Sequence, residues 1–167
     1  MTIERTFWDL MRASGSVFES TLHGVSMEPT IPDGARIQIS PKPAGGFAVG
    51  QVAACVLKDE ALFAHRIVHR GAGGVVLTRG DHRVLCDPPT REDQILGVVT
   101  ALWQEGAWRA PGTEPDRGAA IRSVSAAHRL LLRMCLPLHF ELARRVAGTT
   151  LIAGSLFKRM RSALAGK

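Results

Sequence analysis

Cysteine is scarce in this chain and badly spaced for metal or disulfide work. Cys55, Cys86 and Cys135 are the three in 167 residues. None forms a C-x-x-C pair, and an odd number cannot pair completely. A thiolate metal site and a disulfide-stapled scaffold are therefore not expected, and a reducing compartment suits this usage. Long apolar runs are lacking as well. None approaches the ~18 residues of a spanning helix, and the nearest, 146–157, is broken by Gly148, Thr149, Thr150 and Gly154. The first residues carry Glu4, Arg5, Asp9 and Arg12, so the apolar h-region of a secretory signal is missing. The expected location is cytoplasmic, or peripheral on the inner membrane face. Acidic residues run out towards the C-terminus, where Glu141 is the only one after Asp116 in a chain of net charge +6. A basic tail suits an anionic partner, and an equally simple reading is a solvated helix face. An anionic membrane surface is the partner carried forward; nucleic acid is not expected.

What is present is enough for a core. Apolar residues make up 46% of the chain, which excludes wholesale disorder. Alternation or apolar runs predict strands over 17–23, 35–39, 52–57, 62–70, 75–78 and 95–103, with Trp108 close to the last. Lys58-Asp59-Glu60 and Gly71 to Gly74 read as turns. Residues 3–12 read as a short amphipathic helix. Several short strands at regular spacing predict a mainly β, mostly antiparallel, coiled or barrel-like fold. Residues 110–118 read as a linker. Beyond it Leu130, Leu131, Met134, Leu138 and Leu142 recur at helical spacing, Pro137 interrupts the run, and a further helix is expected over 151–164.

The stretch that organises the chain is His23-Gly24-Val25-Ser26-Met27-Glu28-Pro29-Thr30-Ile31-Pro32-Asp33-Gly34. Two prolines fix φ and remove donors, so this is neither strand nor long helix. Ser26 is thereby held on a stiff connection, as a nucleophile must be. Ser26-Met27-Glu28-Pro29-Thr30 resembles the nucleophile box of type I signal peptidases, shared in looser form by LexA-like self-cleaving repressors.

A serine needs a base. Phe63-Ala64-His65-Arg66-Ile67-Val68-His69 offers two histidines, and by strand alternation His65, Ile67 and His69 share a face. His65-Arg66-Ile67-Val68 resembles the His-Arg box of the endoplasmic-reticulum and archaeal signal peptidases, where most bacterial members carry lysine. Lys58, the nearby upstream lysine, falls in a charged turn and is not expected to be desolvated enough to act as a base. Thr78-Arg79-Gly80-Asp81-His82, followed by Asp87, is similar to the third box of that Ser/His branch. The resemblance implies that Asp87 orients His65 and that Asp81 supports the site. Two positions depart from the pattern. Gly24 stands where the family often has a serine that helps the oxyanion hole, and His82 stands where asparagine is expected.

The resemblance, which covers about Thr21 to Val99, thus implies a signal-peptidase/LexA-type β-fold. With the helix and linker read from pattern, the chain divides into a catalytic domain over 1–109 with a short N-terminal helix, a linker over 110–118, and a basic helical appendage over 119–167 not expected to be needed for catalysis. The resemblance implies a serine endopeptidase that cleaves a leader or signal-like peptide. Ser26, His65, Asp87 and Asp81 are the catalytic candidates. Gly24, Val25, Met27 and Pro29 are the candidate substrate contacts, and no metal or cofactor is implied. The rival readings are a non-catalytic binding module and a self-cleaving regulatory switch. The latter calls for a helix-turn-helix domain and a cleavage site ahead of the serine, for which the 24 residues preceding Val25 leave little room.

Overall fold

The computed structural model describes residues 3–41, 46–56, 62–116, 118–136, 140 and 142–149. Helix α1 (Ile3–Ser14) precedes strands β1 (Phe18–Leu22), β2 (Ala35–Pro41), β3 (Val52–Val56), β4 (Leu62–Arg70), β5 (Val75–Arg79), β6 (Thr90–Arg91), β7 (Ile95–Gln104) and β8 (Ala107–Arg109). Helix α2 (Ala119–Cys135) follows, and residues 142–149 are again helical. The strands form one antiparallel sheet in the order β1-β2-β7-β3-β4-β5-β6, with β8 paired to β7. It curls into a half-barrel, so the protein is mainly β.

The curl has local causes. Register shifts at Gln38/Ile39, Ala54/Cys55 and Ile67/His69 place bulges in the middle of the sheet, and each bulge adds bend and twist. Gly97 allows β2 to come close to β7: a Cβ there would lie 2.2 Å from the Ser40 carbonyl oxygen. Inside the curl, Met27, Ile31, Ile37, Ile39, Val52, Ala64 and Leu102 form one buried cluster. Phe47, Ala53, Ile67, Val76 and Ile95 form a second. β3 is buried along nearly its whole length because it lies between β7 and β4, which is why its sequence is an unbroken apolar run.

The packing adds detail to two segments. The segment over 110–116 is irregular yet docked, since Arg66 donates to the Gly112 carbonyl and Arg79 to the Glu114 carboxylate. Of the packing partners open to the region beyond it, the sheet is one that it uses: Leu132 and Ala147 are fully buried against Val68, Leu77 and Cys86. The residues that make this contact also differ from those expected. Leu130, Leu131, Met134 and Leu142 are exposed, whereas Ser125, His128, Leu132 and Ala143 are buried. Apolarity singled out the leucines, but the inward stripe is partly polar because it meets polar groups of the sheet. The expected turn at Lys58-Asp59-Glu60, Leu57, Pro137, Leu138 and the helix over 151–164 lie outside the described residues. Among the described residues no helix is long and apolar enough to cross a membrane.

Candidate active site

The connection between β1 and β2 is pinned at several points. Gly34 N–H donates to the Leu22 carbonyl at 2.9 Å, Gly24 N–H to the Asp33 carboxylate at 2.7 Å, and Ile31 N–H to the Met27 carbonyl at 3.0 Å. The Glu28–Pro29 peptide is cis. Met27 and Ile31 are completely buried, so the loop is nailed to the core on both sides of Pro29. Ser26 sits between exposed Val25 and buried Met27. Of the candidate substrate contacts, Val25 therefore offers side-chain surface and Met27 offers none. The Met27 sulfur instead faces the Asp81 N–H at 3.4 Å.

β4 brings His65 to this loop. Its Nε2 lies 3.0 Å from Ser26 Oγ and its Nδ1 2.6 Å from Asp87 Oδ2. The ring is only 6% exposed and has Phe63 edge-on at 5.2 Å. A carboxylate only accepts, so a proton on Nδ1 belongs in the bond to Asp87, which leaves Nε2 as the acceptor for the serine hydroxyl. Asp87 is held in turn by Thr78. Thr78 Oγ1 donates to Asp87 Oδ2 at 2.8 Å, and Asp87 N–H donates to the Thr78 carbonyl at 2.8 Å.

Asp81 plays a different part. Its two oxygens accept from Arg66 Nε and Nη2 at 2.9 and 2.6 Å, and from the Thr30 hydroxyl at 2.5 Å. Arg66 also donates to the Gly50 carbonyl at 2.7 Å. Both members of the pair are buried. The pair thus ties the Ser26 loop, β4 and the turn after β5 together, and Asp81 has no direct bond to His65. The adjacent His82 N–H donates to the Ser26 carbonyl at 2.8 Å.

Simple alternation places His69 on the His65 face, and the bulge at Ile67/His69 overturns that. His69 pairs with Leu77, which packs towards α2 with Val68 and Leu132. Burial, and then Arg133 and Arg129, push the His69 imidazole below its usual pKa. Lys58 lies outside the described residues. Burial pushes the Cys55 thiol up to about 12 and the Cys86 thiol up to about 11, so neither is an activated nucleophile. A cavity of about 240 Å³ lined by Val49, Arg66, Val68, Gly112, Glu114 and Arg129 does not reach Ser26, His65 or Asp87. Among the described residues no three or more His, Cys, Asp or Glu gather as a metal site.

Arg66, Thr30 and Thr78 were not singled out from sequence, although each lies within or beside one of the three boxes. Ser125 and His128 of α2 carried no signal at all. Comparison of the chain with family models and with curated proteins finds no match.

Proposed function

We propose that the protein is a serine endopeptidase of the signal-peptidase-like kind, with Ser26 as nucleophile, His65 as general base and acid, and Asp87 as the carboxylate that orients it. The observation that carries this reading is the continuous chain Ser26 Oγ, His65 Nε2, His65 Nδ1, Asp87 Oδ2, with links of 3.0 and 2.6 Å. A turn-capping serine and a structural histidine have no need of such a chain. Three boxes distant in sequence supply it in the order that the resemblance implies.

The chemistry follows from the geometry. Ser26 Oγ forms a bond to the carbonyl carbon of a peptide as its proton passes to His65 Nε2. Asp87 stabilises the imidazolium without taking the proton. Collapse of the tetrahedral adduct breaks the C–N bond, and His65 returns the proton to the leaving amine. Water then repeats the sequence on the acyl-enzyme. The Ser26 N–H has no acceptor among the described residues and is the available oxyanion donor. Gly24 contributes no hydroxyl there. The substrate class, a leader or signal-like segment, rests on the resemblance alone, and the signal-peptidase/LexA-type fold is proposed on the same basis together with the half-barrel.

Covalent labelling by a fluorophosphonate probe tests this directly. The intact mass should rise by one adduct in the native chain, with the modified peptide containing Ser26, and not in Ser26→Ala or His65→Ala. Equal labelling of native chain and Ser26→Ala overturns the reading.

A further inference from the structure

We infer that helix α2 belongs to the catalytic unit: His128 is a positioning residue that holds Asp87 in place through the Cys86 amide. This rests on the serine-peptidase reading of Ser26, His65 and Asp87.

The segment between Arg79 and Thr90 has neither strand nor helix, so nothing periodic fixes Asp87. Thr78 grips it from the β5 side. The opposing grip comes one residue earlier, where Cys86 N–H donates to His128 Nδ1 at 3.1 Å. The Cys86 side chain is fully buried with Leu77 and Leu132. At the start of the same segment, Arg79 donates to the Ser125 hydroxyl of α2 and to Glu114. Ser125, His128 and Leu132 lie at helical spacing on one buried stripe. One face of one helix therefore holds the loop at its start and again beside the acid.

The composition of α2 supports a polar task. Its buried stripe holds a serine and a histidine, while Val124, Leu130, Leu131 and Met134 are exposed. A helix that served only to cover the sheet would bury the leucines, because buried polar groups are costly unless bonded. Burial also holds the His128 imidazole below its usual pKa. The neutral ring keeps a lone pair for the Cys86 amide, whereas a protonated Nδ1 would present a donor to a donor.

The experiment uses the full chain and two readouts. The first is the downfield proton resonance of the His65 Nδ1–H···Asp87 bond, with Asp87→Asn as the negative control and Ser26→Ala as a variant that should retain it. The second is the rate of fluorophosphonate labelling. His128→Leu fills the site without an acceptor. It is expected to lose the resonance and to label about 10- to 100-fold more slowly, since a displacement of about 1 Å costs on the order of 10²-fold. His128→Asn places an oxygen near the Nδ1 position and is expected to restore both. Should His128→Leu not fold, His128→Gln takes its place; its oxygen sits one bond too far, and it should weaken the resonance and slow labelling at least about fivefold. A folded variant without the acceptor that keeps the resonance and the native labelling rate overturns the inference and leaves His128 a packing residue. If the native chain is never labelled while the resonance responds as described, the peptidase reading fails and the positioning role of His128 stands.

Discussion

Gly80 is in such close contact with Ser26 that a Cβ on it would lie 2.5 Å from the Ser26 carbonyl oxygen and 3.0 Å from His65 Nε2. The turn that carries Asp81 and His82 is therefore seated directly against nucleophile and base, and only a residue without a side chain fits. Gly80→Ala should separate Ser26 from His65. We expect a loss of stability of about 1–3 kcal/mol from overpacking, and labelling of the folded protein slower by about 10²-fold. Denaturant melts and labelling kinetics on the same sample check both.

The two aspartates should separate in kind. Asp87→Ala should reduce labelling by about 10²- to 10⁴-fold with little change in stability, because Asp87 acts on His65 directly. Asp81→Ala leaves the Arg66 guanidinium buried without its carboxylate, which should cost about 3–5 kcal/mol of stability. The protein that remains folded should react faster than Asp87→Ala. His69→Ala should react nearly as the native chain does, since His69 pairs with Leu77 on the α2 side. A larger kinetic defect in folded Asp81→Ala than in Asp87→Ala exchanges the two roles.

Stability should fall on mild acidification. His69 and His128 both have a lowered pKa, in each case chiefly through burial. In the unfolded chain they titrate near ~6.5, so between that value and their lowered native pKa the unfolded state binds more protons. Stability then increases with pH across this window; it is complete above about 6.5 and is lost as pH falls through the native pKa values. Melting temperatures followed from about pH 8 to about pH 5 should decline less steeply in His69→Gln/His128→Asn. Equal slopes in the two proteins count against the assignment.

The cysteines should differ in reactivity. Cys55 and Cys86 are buried, with thiols raised to about 12 and about 11, whereas Cys135 is partly exposed. Iodoacetamide near pH 8 should alkylate Cys135 alone in the native protein, and all three in denaturant. Peptide mapping reads the result, and rapid native modification of Cys86 would show that the Asp87 segment opens.

We propose an anionic bilayer surface as the occupant of the outer side of α2. Val124, Leu131 and Met134 are exposed in α2, and the helix carries Arg122, Arg129 and Arg133 and no acid. Each basic residue near an anionic leaflet is worth about 1 kcal/mol, and salt weakens the attraction. Sedimentation with phosphatidylserine-containing vesicles should be salt-sensitive and reduced in Arg122→Gln/Arg133→Gln. No binding at low salt removes this surface from consideration.

The strand plan was legible in sequence because alternation and apolar runs report burial directly. Leu62 to Arg70 was bounded correctly, and β1, β3, β5 and β7 were placed to within one residue at the ends described, whereas β2 runs two residues further and β6 and β8 were not expected. Ser26, His65, Asp81 and Asp87 stood out as candidates because each lies in a short box that resembles one of the family's. The fate of His69 was not, since a bulge shifts register without leaving a mark in composition. The meaning of α2 was hidden for a related reason. Helical periodicity ranks faces by apolarity, and the stripe that packs on the sheet contains Ser125 and His128 because Arg79 and the Cys86 amide await partners there. Alternation and apolar runs thus determined most of the strands, and the resemblance carried by three local boxes singled out the candidate triad. Which histidine meets the serine, which aspartate meets that histidine, and which side of α2 faces inward were decided by pairings between residues distant in sequence, and such pairings exist only once the sheet has curled.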